Sequence, residues 1–362
     1  MLKVGYERST YAEKRLFINK VREVKFVRVA SEAINLPGLT HDDVYWASNI
    51  NRNDIDLMHY FNQVNFGETP YITTFETIVP RFFDAEPFGE YANMLLQDNC
   101  KKIIALSKKT MEIQANRMKS SCRYKLDHAL NKLCFLHPPQ KIIFEDHARF
   151  FHTEKISFIF IGNAFLTKGF IPIMNALNYI HNIYHDITFT VVSSFVVQEC
   201  EYPLLENDPD ILYKINEFLN KNADWITVYS NLPNSHVLKL LPLHHVGLLP
   251  SLAETYGYVV LEMQAAGIPV VTTDIRSFPE INNDACGFVI KIPSKQEFRP
   301  TDFERYCAVC KIIEAKLIKI IGEILKKKDT LYTKSQKAIR RIKKYHDPEY
   351  YSSMVNNIYQ NI

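Results

Sequence analysis

No run of about 18 consecutive apolar residues occurs in this 362-residue chain, so no helix of it is built to span a bilayer. No G-x-G-x-x-G follows any strand-like segment, which argues against a dinucleotide-dependent dehydrogenase. Internal repeats and low-complexity segments are absent too. The net charge of +3 is too small for a general nucleic-acid binder. The sequence shows no signal peptide, and its seven cysteines are odd in number and scattered, so the expected setting is a reducing cytoplasm rather than a disulfide framework. Cys307-x-x-Cys310 lacks a second pair or a nearby His cluster, and its neighbours are helix-like. Two thiols one turn apart on a helix are the reading it supports. Asp54-Ile-Asp56 and Asp208-Pro-Asp210 have the spacing of a metal–diphosphate site without its surroundings, and both read as structural. No metal site and no cofactor are expected.

What remains is an ordinary globular composition, 47% hydrophobic and 23% charged, long enough for two domains. The most informative stretch runs from Val246 to Asp274. Val246-Gly-Leu-Leu-Pro250 is short enough for a buried strand and is bounded by proline. After Thr255 the pattern turns helical, with Val259, Val260, Met263 and Ala266 offering an apolar face. Gly267 and Pro269 stop that helix, and Val270-Val271-Thr272 starts another strand. Strand, loop, helix and strand make a βαβ unit and imply a parallel sheet.

The first N–H groups of a helix have no partner inside it, and the macrodipole adds about half a positive charge there. The donors belong to roughly Tyr256, Gly257 and Tyr258, and Gly257 lets an anion approach the backbone with no Cβ in the way. Glu254 precedes the helix and Glu262 lies within it. Eight helical residues would rise about 12 Å, enough for two carboxylates to touch opposite ends of one extended anion. A helix with an acid at its start and an exposed Glu further along is the plainer reading of the same residues.

Glu254 and Glu262 in the frame E-x-[YF]-G-x-V-x-L-E, followed by A-x-G-x-P-V-V, resemble the signature of retaining GT-B glycosyltransferases, family 4 in particular. The likeness runs well from about residue 156 to 290 and is faint before that. It implies that Glu254 contacts the transferred sugar and Glu262 the ribose of a nucleotide. It also implies that the amides of Thr255, Tyr256, Gly257 and Tyr258 receive the diphosphate.

Taken in order, Leu2–Tyr6 reads as a first strand, but Glu7-Arg-Ser-Thr-Tyr11 is not the glycine pair common near the acceptor in that family. Segments 24–30, 56–61, 70–75 and 102–107 read as further strands, the last followed by a helix from about Lys108. Glu76, at a strand end, stands where family members often carry a His beside the donor sugar. It fills that role, orients the acceptor hydroxyl, or is simply solvated. Pro138-Pro139 and Phe144–Thr153 read as the exit from the first domain. Ile156–Ile161 is a continuous apolar strand of a sheet covered on both faces. Gly162-Asn163-Ala-Phe-Leu-Thr-Lys168-Gly169 follows it and resembles the family's G-R-x(n)-K-G, where Arg and Lys pair with the diphosphate. Lys168 fits, whereas Asn163 stands where an Arg is usual. Ile187–Val192 and Ile226–Tyr229 are the next strands, and residues 196–221 a polar, helix-like insertion between them. The loop Ser230-Asn231-Leu232-Pro233 corresponds to one that lies over the nucleotide base in relatives, which implies that Leu232 stacks there while Tyr229 and Ser230 present backbone groups to the base edge. Pro279-Glu280-Ile281 is similar to the family's P-E-[IL] and reads as support.

Ten Lys or Arg lie between Lys101 and Lys141 against two acids, with Met111, Met118, Tyr124 and Leu126 interleaved. A solvated helix face is the default. The sharper reading is a surface that docks on anionic lipid headgroups, each basic side chain contributing about 1 kcal/mol. Phe303–Lys328 and Thr330–Tyr345 are amphipathic helices, and a last helix starts after His346-Asp-Pro348.

The expected fold is therefore α/β of GT-B type, two Rossmann-like domains facing a cleft. Residues 1–150 would bind acceptor and 151–345 nucleotide-sugar, and helix 346–362 would return to the first domain. The expected activity is metal-independent, retaining transfer of a hexose from a UDP- or GDP-sugar to a glycan or lipid-linked acceptor. Lys168 and Glu254 would be catalytic; Gly162, Asn163, Ser230, Leu232, Thr255 to Tyr258 and Glu262 would bind donor. The alternative is a non-catalytic nucleotide-sugar-binding or scaffold protein on the same fold. The expected location is the cytoplasm, with peripheral attachment to the inner face of a membrane and no nucleic-acid partner.

Overall fold

Strands of four to six residues alternate with helices along most of the chain, a pattern that builds parallel sheets with helices on their faces. The computed structural model describes residues 1–30, 47–81, 85–121, 126–146, 150, 154–293 and 302–362. The chain divides into two units, Met1–Pro139 together with His346–Ile362, and Gln140–Tyr345.

The first unit runs β1 (Leu2–Tyr6), α1 (Tyr11–Leu16), β2 (Val24–Arg28), β3 (Ala47–Ser48), β4 (Leu57–Phe61), β5 (Val64–Asn65), β6 (Tyr71–Phe75), α2 (Ala85–Leu96), β7 (Cys100–Ala105), α3 (Lys108–Ser121), α4 (Leu126–Lys132) and β8 (Leu133–Phe135). Six strands form one parallel sheet in the order β2-β1-β4-β6-β7-β8, while β3 and β5 pair apart from it. The chain reverses its direction across this sheet between β1 and β4, as in flavodoxin-like folds. Tyr60, Tyr71, Phe75, Ile103 and Leu95 fill its core.

The second unit runs β9 (Ile156–Ile161), α5 (Phe170–His181), β10 (Ile187–Val192), a 3₁₀ turn at Glu199–Glu201, α6 (Tyr202–Asn207), α7 (Ile211–Lys221), β11 (Ile226–Tyr229), α8 (Asn234–Leu240), β12 (Val246–Leu249), α9 (Tyr258–Ala265), β13 (Val270–Thr273), α10 (Phe278–Ile281), β14 (Phe288–Ile290), α11 (Phe303–Lys326) and α12 (Asp329–Tyr345). Its parallel sheet has the order β11-β10-β9-β12-β13-β14, the 3-2-1-4-5-6 arrangement of the Rossmann fold. Five of the six residues of β9 are buried, as expected of a central strand packed on both faces. The buried residues of α11, Tyr306, Cys310, Ile313, Leu317, Ile321 and Ile324, recur every three or four positions, so one stripe of this helix faces the core.

The C-terminal helix, α13 (Pro348–Gln360), belongs to the first unit. Asp347 caps it by accepting from Glu349 N and Tyr350 N, which satisfies amides that have no acceptor within the helix. Tyr351, Val355 and Tyr359, spaced by four, are buried. Tyr359 places its hydroxyl 2.6 Å from Nδ1 of His59 in β4, and Nε2 of the same ring lies 2.8 Å from Thr74 Oγ1. Phe17 stacks on the His59 ring. Burial holds this imidazole neutral, with its pKa pushed down to about 3. The return of the last helix to the first domain, expected from the sequence, is thus secured by a polar contact inside an apolar core.

The basic stretch does not form one helix face. Lys101 and Lys102 lie in β7, half-buried. Lys132 is buried and donates to Leu95 O and Gln97 O. Arg123, Tyr124 and Lys125 lie outside the described residues, as do 147–149 and 151–153 of the segment read as the domain exit. No described helix is long and apolar enough to cross a membrane.

Candidate functional site

In a doubly wound sheet, ligands bind outside the carboxyl ends of the strands where the strand order reverses. In the second unit that point lies between β9 and β12, which pair directly. The two loops leaving these strands, residues 162–169 and 250–257, carry the residues singled out in the sequence.

The first loop begins at Gly162, whose N–H donates to Val192 O. A Cβ on Gly162 would stand 2.5 Å from Cδ of Lys168; glycine therefore lets the lysine stem cross the strand end. Asn163 Oδ1 accepts from the N–H and hydroxyl of Ser194, both at 3.3 Å, and so ties this loop to the turn after β10. Lys168 N closes a turn onto Ala164 O. Gly169 has φ +83°, and a Cβ there would meet Pro250 O at 2.5 Å. The left-handed backbone and the close approach of the second loop both require glycine at this position.

The second loop is fastened to the first through one peptide group, as Leu252 N donates to Thr167 O at 2.8 Å. Glu254 then places Oε2 2.7 Å from Lys168 Nζ, with the two side chains 8% and 20% exposed. Its other oxygen accepts from Thr255 N. The two residues expected to be catalytic, 86 positions apart, form one ion pair.

Helix α9 starts at Tyr258, not after Thr255, and Gly257 precedes it with φ +95°. A Cβ on Gly257 would lie 2.5 Å from the Phe278 ring, so neither the conformation nor the space admits another residue without strain. Glu262 is half way along α9 and 6% exposed. Only the part of the Glu254–Glu262 span from Tyr258 onward is helical. The 12 Å rise expected for eight helical residues is replaced by a turn followed by just over one turn of helix, because Gly257 in the left-handed region resets the chain direction. Tyr256 is fully buried, and its carbonyl accepts from Ser277 Oγ at 2.5 Å. Pro279 and Glu280 lie in α10, and Arg341 donates to the Glu280 and Ile281 carbonyls. Ser230, exposed, and Leu232, half-buried, sit in the turn after β11, where Asn231 takes φ +58°.

At the carboxyl edge of the first sheet, Glu76 forms a 3.0 Å ion pair with Arg81. Its N–H donates to Asn62 Oδ1, and Thr110 Oγ1 donates to its carbonyl. Gln114 grips Val79 from both sides, accepting from its N–H and donating to its carbonyl. Glu7, next after β1, bonds to Ser48 and Gln63, and burial pushes its carboxyl pKa up. The partners of these residues are 34 to 56 positions away in some cases, which local spacing does not reveal.

The remaining candidates are structural. Asp54 pairs with Arg52 and Asp56 accepts from Lys3 N, while both Asp208 oxygens bind Lys214. Cys307 and Cys310 lie on α11, and burial pushes the Cys310 thiol up to about 12. Among the described residues no three His, Cys, Asp or Glu stand close enough to share a metal ion. The sequence reading missed Glu201, a fully buried carboxylate that accepts from Thr167 N at 2.9 Å. Its one local signal is the capping-box spacing Gln198-x-x-Glu201.

Residues 143–299 match the family described as Glycosyl transferases group 1. No curated protein sequence matches the chain. Among solved structures, Anabaena HepE in complex with UDP is similar at 12% identity and a TM-score of 0.66, with 100% of each chain covered. A glycosyltransferase from Rickettsia africae is similar at 15% identity and a TM-score of 0.60, covering 99% of this chain and 90% of that one. The sucrose-phosphate synthase of Thermosynechococcus elongatus is similar at 13% identity and a TM-score of 0.59, covering 85% and 73%. Residues 143–299 are thus similar to the group 1 glycosyl transferases, and the chain has the GT-B fold of these enzymes.

Proposed function

We propose that this protein is a retaining, metal-independent glycosyltransferase of family 4 type. It would move a hexose from a nucleoside-diphosphate sugar to a glycan or lipid-linked acceptor. The observation that carries the reading is the meeting of Lys168 and Glu254 at 2.7 Å beside the start of α9. In this reading the cation and the first amides of the helix would receive the leaving diphosphate, and the carboxylate would face the departing sugar. UDP is the favoured carrier, since HepE has been solved with UDP and with UDP-glucose.

In this reading the anomeric C–O bond breaks toward the diphosphate. Lys168 and the amides from Tyr256 to Tyr258 stabilise the charge that develops there, and donors fixed in advance lower the barrier rather than merely bind substrate. The acceptor hydroxyl attacks from the face the diphosphate leaves, and its proton passes to a departing phosphate oxygen. Glu254 orients the sugar hydroxyls, Glu262 the ribose, and Ser230 with Leu232 the base. Glu76 is the proposed contact on the acceptor side. The basic residues of α3 would serve a lipid-linked acceptor at an anionic membrane surface.

Asn163 favours the non-catalytic alternative, because its side chain is spent on Ser194 where the family presents an Arg to the diphosphate. The retained Lys168–Glu254 pair favours the enzyme. The test is NMR of the product formed from a UDP-sugar in the presence of a chelator. A product with the donor's anomeric configuration is expected. An inverted product, or turnover abolished by the chelator, would refute the mechanism; UDP binding without any turnover would establish the alternative.

A further inference from the structure

Glu201 lies in the stretch between β10 and β11 that reads from sequence as a polar insertion. Its side chain is nevertheless 0% exposed. One oxygen accepts from Thr167 N at 2.9 Å, and the other from Gln198 N at 3.2 Å. The Leu166 amide and the Thr167 hydroxyl also point at it. Among the described residues no lysine or arginine pairs with it, so backbone amides, with the Thr167 hydroxyl, compensate its charge. Burial pushes its pKa up and the amides pull it back down.

The backbone of Thr167 is therefore held on both sides. Its N–H goes to Glu201, and its carbonyl receives Leu252 N at 2.8 Å and Ala253 N at 3.4 Å. The next residue on one strand of this connection is Lys168, and on the other Glu254. A carboxylate suits the task because it only accepts. An amide in its place would turn an N–H toward one of the converging N–H groups.

We propose that Glu201 is a positioning residue that fixes the Leu166–Lys168 turn, so that the Lys168 ammonium stands beside Glu254 and at the diphosphate. It acts through Lys168 and touches no substrate. The proposal rests on the reading of Lys168 as the diphosphate-binding cation.

The experiment is a double-mutant cycle of Glu201→Gln and Lys168→Ala, read by calorimetric titration with UDP, together with amide hydrogen exchange at residues 166–168 without nucleotide. In an otherwise unchanged protein, Glu201→Gln is expected to weaken UDP binding about threefold to tenfold, less than removal of Lys168 itself, because the lysine is loosened and not lost. On the Lys168→Ala background it is expected to change UDP binding less than about twofold, since the group it positions is gone. Exchange at Thr167 is expected to quicken in both backgrounds. Equal losses in both backgrounds, or unchanged exchange at Thr167, would overturn the proposal. Should Glu201→Gln not fold, Glu201→Asp, which keeps the charge but shortens the reach, runs the same cycle. A wild-type protein that binds no UDP while its Thr167 exchange responds to Glu201→Gln would overturn the functional reading, and the proposal with it.

Discussion

The carboxyl edges of the two sheets solve the same problem differently. At the edge of the second sheet, the loops are fixed largely by backbone. Gly169 and Gly257 adopt left-handed conformations, Gly169 and Gly162 admit close neighbours, and one peptide, that of Thr167, ties the two loops together. At the edge of the first sheet, side chains do the fixing. Glu76 is paired with Arg81 and Gln114 clasps Val79, while deeper in the same sheet His59 joins Tyr359 to Thr74. Backbone-built edges leave glycines and short fixed spacings in the sequence. Side-chain-built edges depend on partners up to 56 positions apart and leave almost no local trace.

If the second edge is the diphosphate site, its polar pair should dominate activity. Lys168→Ala and Glu254→Gln are each expected to reduce turnover of a UDP-sugar by at least about tenfold to a hundredfold, the equivalent of a charged hydrogen bond of about 1.5–3 kcal/mol. Near-normal turnover in both would end the distinction between the two edges. The backbone devices should separate stability from binding. Gly257→Ala is expected to lower stability by about 1–2 kcal/mol for the left-handed conformation alone, more with the Phe278 clash, as a shift in the urea midpoint. Gly162→Ala should leave that midpoint nearly unchanged and weaken UDP binding, because the atom its Cβ meets belongs to the movable Lys168 stem.

The first sheet should show itself in pH dependence instead, through the polar contact in its core. Burial holds the pKa of His59 at about 3 in the folded protein, against an ordinary value of 6.5. The unfolded chain therefore takes up a proton that the folded one refuses between those values. Its contribution is fully present above about pH 6.5 and is lost as pH falls toward 3. Urea midpoints measured from pH 7 to 4 are expected to fall less steeply in His59→Gln than in the parent protein. Equal slopes would mean that His59 is not the buried neutral imidazole described. The smallest effect is expected from Glu76→Gln: acceptor-dependent transfer should slow while UDP affinity stays the same.

These differences also mark what could be read in advance. The central strands of both sheets were legible from their apolar runs, since a strand packed on both faces has little choice of composition, and Val24–Arg28 from its alternation. The last three helices were legible from their periodicity. The two-residue strands β3 and β5 and the three-residue β8 and β14 were not, because strands this short carry no period. In the candidate site, the resemblance singled out Gly162, Lys168, Glu254, Gly257 and Glu262, and the structure gathers Gly162, Lys168 and Glu254 in two touching loops. Their geometry was only partly so: spacing alone did not show that Lys168 and Glu254 touch, or that α9 begins at Tyr258. Glu201 was hidden because a buried carboxylate in a polar segment looks like any other acid until the amides around it are seen.

The most direct test is a calorimetric titration of UDP into the parent protein and into Lys168→Ala. The parent is expected to bind one UDP per chain, and the variant to bind it at least about tenfold more weakly, which corresponds to about 1.4 kcal/mol. Equal affinity in the two proteins, or no binding by the well-folded parent, would contradict the assignment of the diphosphate to this edge.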